Sequence, residues 1–306
     1  MRAVRITADG VYRAALGGAA ALVFAVVALI VYETGRGAGL SIRTFGLGFL
    51  TSTAWDPVTE KFGALPYIYG TLVSSALALL IAVPLGIGTA VYLAEIAHRR
   101  WGAIVSFVIE LLAAIPSIVY GVWGFFVLAP WLRNGLEPWM IQNFGFLPFF
   151  RGAPFGIGML NAGIVLAIMV VPTIVSISRE VLLATPRSLR EAALALGATR
   201  AEAIGVAVDA ARPGILGAVI LALGRALGET MAVTMVIGNR PDISVSLVNP
   251  AYTMASVLAN EFTEATGRLH VASLIELALL LFVVTLVVNA LARWLVWRVS
   301  GQRRVA

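Results

Sequence analysis

The stretch VASLIELALLLFVVTLVVNALARWL, residues 271–295, carries just two charged side chains, Glu276 and Arg293. A helix of about 20 predominantly apolar residues is long enough to cross the hydrocarbon core of a bilayer, so this stretch predicts a membrane span. Five further apolar runs of comparable character are found at roughly 14–32, 66–94, 103–129, 157–177 and 214–237. The sequence therefore predicts an all-α integral membrane protein with six transmembrane helices.

The composition excludes a soluble globular protein. Hydrophobic residues make up 60% of the chain and charged residues 12%, whereas a soluble domain carries about 25% charged residues. The chain contains no cysteine, which excludes a disulfide framework, a thiol nucleophile and a cysteine-bound iron–sulfur cluster. The pI is near 10.2, yet the arginines cluster at the ends of apolar runs, so the basic charge indicates membrane orientation and not nucleic-acid binding.

The distribution of basic residues predicts the side of the membrane that each loop occupies. Fourteen of the 22 lysines and arginines lie on the side of both termini, seven lie on the opposite side, and Arg225 falls inside a span. Because cytoplasmic loops are enriched in basic residues, we expect both termini of this multi-pass cell (inner) membrane protein in the cytoplasm. We expect an N-terminal anchor helix and outer loop over 1–60, and a transmembrane domain over 61–300 with a cytoplasmic loop at 178–213.

Residues that commonly carry catalysis or bind cofactors are scarce. The single lysine, Lys61 in VTEKFG, does not follow the glycine-rich turn of a nucleotide-binding P-loop. His98 and His270 both lie at predicted membrane boundaries, without ligand partners at helical spacing. We expect no catalytic residue, no metal and no cofactor, which leaves transport or scaffolding as the function.

The cytoplasmic loop between the fourth and fifth spans predicts two short helices. Ser188 followed by Glu191, and Thr199 followed by Glu202, both fit the capping box that begins a helix. Gly197 lies between them, where a helix end adopts a left-handed conformation. Such a pair of helices is suited to docking in a groove of a partner protein, and the alternative is an amphipathic loop on the lipid headgroups.

Two charged residues interrupt the fifth apolar run, in GRALGETMAV at 224–233. Arg225 lies eleven residues beyond Gly214, about 16 Å along a helix axis at about 1.5 Å per residue, which predicts a position near the middle of the bilayer. In a continuous helix, Glu229 shares the face of Arg225 and can pair with it. A guanidinium there suits a passing anion, while the alternative is an ion pair that fixes helix packing. We predict that both residues line the substrate pathway.

Glu110 and Glu276 also fall inside apolar runs, where charge is costly, so each is expected to face the bundle interior or a cavity. We interpret them as structural. Pro116 and Ser117 interrupt the third run near its middle, where they either free backbone groups toward a pathway or form a simple kink.

Four motifs resemble a known family. EAALALG at 191–197 is similar to the Glu-Ala-Ala-x-x-x-Gly signature of ABC importer permeases, and its place between the fourth and fifth of six spans strengthens the likeness. ELLAAIPSIVYGVWGF at 110–125, GRALGETMAVTMVIGN at 224–239 and TMASVLANEFTEA at 253–265 resemble the PstC permease family of phosphate ABC transporters. One departure is that the chain lacks the Leu-Pro pair that the family carries about a dozen residues after the glycine, and reads AVDAARPG in that region.

The resemblance implies the type I ABC importer permease fold, which is MetI-like. It implies a heterodimer with a PstA-type permease, two ATP-binding PstB-type subunits, a phosphate-binding protein of PstS type, and phosphate as the substrate. The chain itself would carry no ATPase site. The resemblance also implies that four residues of the coupling loop contact the ATPase: Glu191, Ala192, Ala193 and Gly197.

Three other functions remain open. A permease for another oxyanion, such as sulfate, molybdate or phosphonate, would keep the EAALALG motif. A proton-coupled secondary transporter would use the membrane carboxylates, but such carriers usually have repeated halves and more spans. A membrane scaffold predicts that Arg225 serves assembly alone.

Overall fold

The computed structural model describes residues 8–301. Its helices are α1 Ala8–Phe45, α2 Leu65–Val91, α3 Arg99–Ala114, α4 Ser117–Trp123, α5 Glu137–Phe144, α6 Met159–Ala184, α7 Arg187–Ala195, α8 Arg200–Leu227, α9 Met231–Val236, α10 Met254–Glu261 and α11 Arg268–Gly301. Short turns lie at Gly48–Thr51, Ala129–Trp131 and Pro148–Phe150, and π-helical turns at Tyr92–Ile96, Gly124–Leu128 and Leu132–Leu136. Strands β1 Trp55–Asp56 and β2 Lys61–Phe62 pair antiparallel. Four basic residues that entered the orientation count lie outside the described part: Arg2, Arg5, Arg303 and Arg304.

The predicted set of membrane spans is confirmed. In the described part of the chain five helices are long and apolar enough to cross a membrane: Tyr12–Phe45, Leu65–Ile96, Met159–Ala184, Arg200–Leu227 and Arg268–Arg298. The sixth span is the broken pair Arg100–Ala114 and Ser117–Phe144, whose two parts meet at 93°. Pro116 explains this bend, because proline lacks the N–H that would continue the helix. The kink expected from the sequence is therefore a sharp turn.

Helix α6 lies at the centre of the fold, between α2 and α8. Small residues let these helices approach closely, as is usual between membrane helices. Gly163 packs against Leu77 of α2, and Gly86 of α2 packs against Ile174. On the other side, α8 buries a stripe of small side chains, namely Ala203, Ala207, Ala211, Ala218, Ala222 and Ala226.

The first helix is longer than the sequence analysis predicted, because it continues from the apolar run to Phe45. Its polar second half is held by local contacts, including an ion pair of 3.3 Å between Arg36 and Glu33. It also packs along α11, where the hydroxyl groups of Ser41 and Ser273 lie 3.1 Å apart. These contacts extend the helix beyond the segment that hydropathy alone identifies.

The short hairpin packs near α10 and the start of α11. Helix α10, within TMASVLANEFTEA at 253–265, begins with a capping box between Thr253 and Ser256. Glu261 at its end accepts a hydrogen bond from Trp55 Nε1 at 2.8 Å and lies 3.1 Å from His270 Nε2. His270 stacks on Phe62 of β2, so the hairpin is fixed against the start of α11.

Candidate functional site

The fifth predicted span is divided into two helices. Helix α8 ends at Leu227, residues 228–230 are not helical, and α9 starts at Met231. Near its middle α8 packs on the end of α6, because Val181 of α6 leaves no room for a side chain at Gly214, and α6 ends three residues later. Leu227 is thirteen residues beyond Gly214, about 20 Å along the axis. Helix α8 is by itself long and apolar enough to cross a membrane, and the helix predicted to continue to residue 237 ends ten residues earlier.

Arg225 lies in the last turn of α8, and its side chain is exposed on the surface of the single chain. Within the described residues it makes no ion pair. The expected pairing with Glu229 is wrong, because Gly228 ends the helix that would have brought the two side chains to one face. Glu229 is half-buried, and its Oε1 accepts a hydrogen bond of 3.3 Å from the backbone N–H of Ala232 in α9.

The break in the third span lies beside the break in the fifth. In a continuous helix the carbonyl of Leu112 would accept a hydrogen bond from the N–H of residue 116, but that residue is proline and has no N–H. The carbonyl accepts from the N–H of Ile115 at 3.3 Å. The hydroxyl of Tyr120 also donates to this carbonyl, at 2.8 Å. Gly121 leaves α4 in direct contact with Ala232 of α9, since an added Cβ would lie 2.9 Å from the Cα of Ala232. The two half-helices beyond the breaks thus pack on each other.

Tyr120 connects this packing to the charge at the break. It is buried in the same apolar cluster as Ala226 and Ala232, and it lies within electrostatic reach of Arg225. Irregular backbone at membrane depth is tolerated where protein or a water-filled cavity surrounds it. The arrangement therefore places one exposed guanidinium beside the non-helical residues 228–230, and an exposed cation there is suited to holding an anion in passage.

The other carboxylates of the spans take different positions. Glu110 is exposed on α3, four residues before this helix ends at Ala114. Glu276 is half-buried on α11, and its Oε2 is a buried oxygen without a hydrogen-bond partner among the described residues. Glu137, which was not predicted as a notable residue, is buried and accepts a 2.8 Å hydrogen bond from the N–H of Gly156. Its position in an aromatic outer segment gave no signal of burial.

The cytoplasmic loop forms the two helices that the sequence predicts. Gly197 has φ of 86°, and the turn closes with bonds from Gly197 N–H to Leu194 and from Ala198 N–H to Ala193, at 3.0 and 3.1 Å. This is the pair of bonds that ends a helix with a left-handed glycine. The capping box of Thr199 and its partner three residues later is also confirmed.

The prediction of a capping box at Ser188 and Glu191 is wrong. Helix α7 begins at Arg187, preceded by Pro186, and has no side-chain cap. Ser188 therefore lies inside the first turn, where it cannot cap. The proline fixes a backbone angle that suits the start of a helix, so the helix begins one residue before the predicted cap.

The four signature residues of the loop lie together on one short structure at the end of the bundle where α6 ends and α8 begins. Glu191, Ala192 and Gly197 are exposed and Ala193 is half-buried. Beside them the side chain of Leu196 is 89% exposed. An apolar side chain this exposed, on a rigid helix and turn, forms a surface suited to docking.

The comparisons with known proteins agree with this geometry. The chain matches the family described as "Binding-protein-dependent transport system inner membrane component" over residues 82–301. It is 47% identical to the "Phosphate transport system permease protein PstC" of Mesorhizobium japonicum, covering 96% of this chain and 91% of that protein. The protein of the same name from Haemophilus influenzae is 47% identical, over 92% of this chain and 90% of that protein.

More distant similarity extends to an archaeal protein and to solved structures. The "Probable phosphate transport system permease protein PstC" of Methanocaldococcus jannaschii is 37% identical, over 83% of this chain and 84% of that protein. A chain of the inward-facing MetNI methionine ABC transporter superimposes with a TM-score of 0.51 at 20% identity, covering 78% of this chain and 94% of that chain. At this identity the superposition shows the fold alone, and that fold is the MetI-like one expected from the sequence.

Proposed function

The chain belongs to the PstC family of phosphate transport system permeases, and from this membership we propose that it is a permease subunit of an ATP-driven importer of inorganic phosphate. The proposed partners are a PstA-type permease, two PstB-type ATPase subunits and a PstS-type phosphate-binding protein. We place the complex in the inner membrane with both termini in the cytoplasm. In this assembly the chain has no ATPase site of its own, and hydrolysis occurs in the partner.

The observation that carries the proposal is the unpaired Arg225 at the break of α8. A cation at the bilayer centre costs about 2.5–3.5 kcal/mol on insertion scales, so this side chain is expected to face a water-filled pathway or another protein. Its planar fork of donors matches the oxygens of phosphate. We propose that phosphate contacts Arg225 during passage, and that Glu229 adjusts the charge of the pathway from the start of α9.

The cytoplasmic loop supports the proposed coupling to an ATPase. Its signature residues are presented on a helix and turn whose apolar side chains are exposed, which fits docking into a groove of a partner. We propose that the coupling contact is made by the four residues that the family signature names: Glu191, Ala192, Ala193 and Gly197.

We also propose a division of the chain into two parts. Residues 1–60 would form an anchor helix and outer loop, and residues 61–300 the permease domain with its coupling loop at 178–213. The family match begins at residue 82, inside the second part, and large apolar side chains of α1 are exposed, while the hairpin of β1 and β2 joins the two parts.

The test is uptake of radioactive phosphate by proteoliposomes that contain the complete transporter. Arg225→Gln is expected to abolish uptake while the complex assembles normally, and Arg225→Lys to leave partial uptake because an ammonium group cannot replace the planar fork. Arg240→Gln is the matched control, since Arg240 is an exposed arginine paired with Asp242 outside the spans. Full uptake by the Arg225→Gln complex would contradict the proposed pathway role.

The same vesicles separate the alternatives. Competition by sulfate, molybdate or phosphonate at equal concentration would indicate a permease for another oxyanion. Uptake that follows a proton gradient and ignores ATP would indicate a secondary transporter. Defective assembly of the Arg225→Gln complex, with uptake restored in a double variant that also carries Glu229→Gln, would support the scaffold alternative.

A further inference from the structure

Glu95 lies in the π-helical turn Tyr92–Ile96, at the cytoplasmic end of the span that α2 begins. Its carboxylate receives Arg190 of α7, with Nε of the arginine 3.1 and 3.0 Å from the two oxygens. Nη2 of the same guanidinium also donates to Oε1. The side chain of Glu95 is 8% exposed and that of Arg190 is 20% exposed. Glu95 and Arg190 therefore form a largely buried, bidentate ion pair between segments that are far apart in sequence.

The remaining donors of Arg190 bind the end of α6. Nη1 donates to the carbonyl of Thr185 and Nη2 to the carbonyl of Leu182, each at 3.0 Å. Leu182 lies in the last turn of α6, where its carbonyl also accepts from the N–H of Thr185 at 3.2 Å, and Thr185 directly follows the helix. Arg200, the first residue of α8, donates to the backbone carbonyl of Glu95 at 3.4 Å. The ends of three spans and the coupling helix therefore meet at one pair.

Helix α7 contacts α8 and is tied to the other spans by the Glu95–Arg190 pair. None of its nine residues is fully buried, and its apolar side chains include the exposed Leu189 and Leu194. Among the described residues, the pair is therefore the main polar contact between α7 and the spans that contain α2 and α6. Arg187 and Glu191 line the same cleft as the pair, so the pair lies directly beside the residues proposed to contact the ATPase.

We infer that Glu95 and Arg190 are positioning residues, and that their ion pair carries movement of the coupling helix to the spans beginning with α2 and ending with α6. The inference rests on the proposed function, because it concerns how hydrolysis is coupled to phosphate passage. When α7 moves, the bidentate ion pair and the hydrogen bonds of Arg190 to α6 transmit this movement to two spans. Without the pair, α7 moves with the ATPase while the spans follow weakly.

The test compares phosphate moved per ATP hydrolysed in the reconstituted transporter. Glu95→Gln keeps the shape of the side chain but removes its charge, and is expected to lower this ratio by about fivefold or more, while ATPase association and hydrolysis persist. Arg190→Lys keeps the charge but loses most of the donors, and is expected to give an intermediate ratio. Glu180→Gln is the control, because Glu180 forms an exposed pair with Arg179 near the same end of α6.

A second variant separates positioning from stability. Glu95→Gln combined with Arg190→Gln leaves no unpaired charge, so it is expected to assemble in normal amount and still to show the low ratio. A normal ratio in Glu95→Gln or in this double variant would overturn the inference. If the unmodified complex moves no phosphate, the proposed function is contradicted. If the unmodified complex and the variants move the same amount of phosphate per ATP, only the inference about the ion pair is contradicted.

Discussion

At the scale of single residues, the sequence predicts which side chains are unusual but not which side chains they touch. Arg225 could be identified because it is the one cation in the interior of an apolar run, whereas Arg293 lies at the end of its run. The predicted pairing of Arg225 with Glu229 was wrong, because it required a continuous helix through both residues and α8 ends before Gly228. Glu95 was missed, since a carboxylate at the end of an apolar run resembles any boundary charge. Its partner Arg190 is 95 residues away in the chain, and no local pattern could connect them.

Tyr120 provides a test of the break in the third span. Tyr120→Phe removes the hydroxyl that donates to the Leu112 carbonyl, so the purified protein is expected to lose about 1–2 kcal/mol of stability. Thermal unfolding of the detergent-solubilised complex measures this loss. Tyr92→Phe is the matched control, because Tyr92 is exposed and makes no side-chain hydrogen bond among the described residues. Equal melting temperatures for both variants would contradict the role given to Tyr120.

At the scale of elements, local signals predict helix ends well where one residue decides the backbone. The left-handed Gly197 and the capping box at Thr199 were correct for this reason. The end of α8 was predicted ten residues late, because Met231–Val236 is as apolar as the helix before it. A single glycine at 228 is a weak breaking signal. Packing of α9 on α4 determines that break, and such packing is not visible in the local sequence.

The coupling turn can be tested by comparing Gly197 in the turn with Gly205 inside α8. Both positions have room for a side chain, but their backbone conformations differ. An added Cβ meets nothing within 4 Å at either Gly197 or Gly205, yet only Gly197 has positive φ. Gly197→Leu is expected to cost about 1–2 kcal/mol in the turn and to weaken co-purification of the ATPase. Gly205→Leu, inside α8, is expected to leave association unchanged. If the two variants retain the ATPase equally, the left-handed turn is not needed for docking.

At the scale of the whole molecule, hydropathy predicts the fold class and the number of spans, because the bilayer imposes a fixed length on each helix. The lengthening of α1 to Phe45 was not predicted, and the 93° bend of the third span is sharper than the kink expected at Pro116. The extended part of α1 packs along α11, where Ser41 contacts Ser273, a residue far away in the sequence. Large apolar side chains remain exposed along α1 and α3, as expected for surfaces that face lipid or a second permease.

Orientation in the membrane is predicted from the basic residues and can be measured directly in this cysteine-free chain. Leu196→Cys and Phe146→Cys place thiols at side chains that are 89% and 70% exposed on opposite ends of the bundle. An impermeant thiol reagent applied to intact spheroplasts is expected to label position 146 only, and position 196 only after the membrane is opened. Labelling of both from the outside would contradict cytoplasmic termini.

The most direct test of the central claim, that phosphate passes Arg225 at the break of α8, replaces the guanidinium and then restores a cation chemically. Phosphate uptake by the Arg225→Cys transporter is measured before and after modification with a trimethylammonium-bearing or a sulfonate-bearing methanethiosulfonate. The account predicts no uptake before modification, partial recovery with the cationic reagent and none with the anionic reagent, since an anion needs a positive charge at this depth. Uptake that is normal before modification, or that responds equally to both reagents, would contradict it.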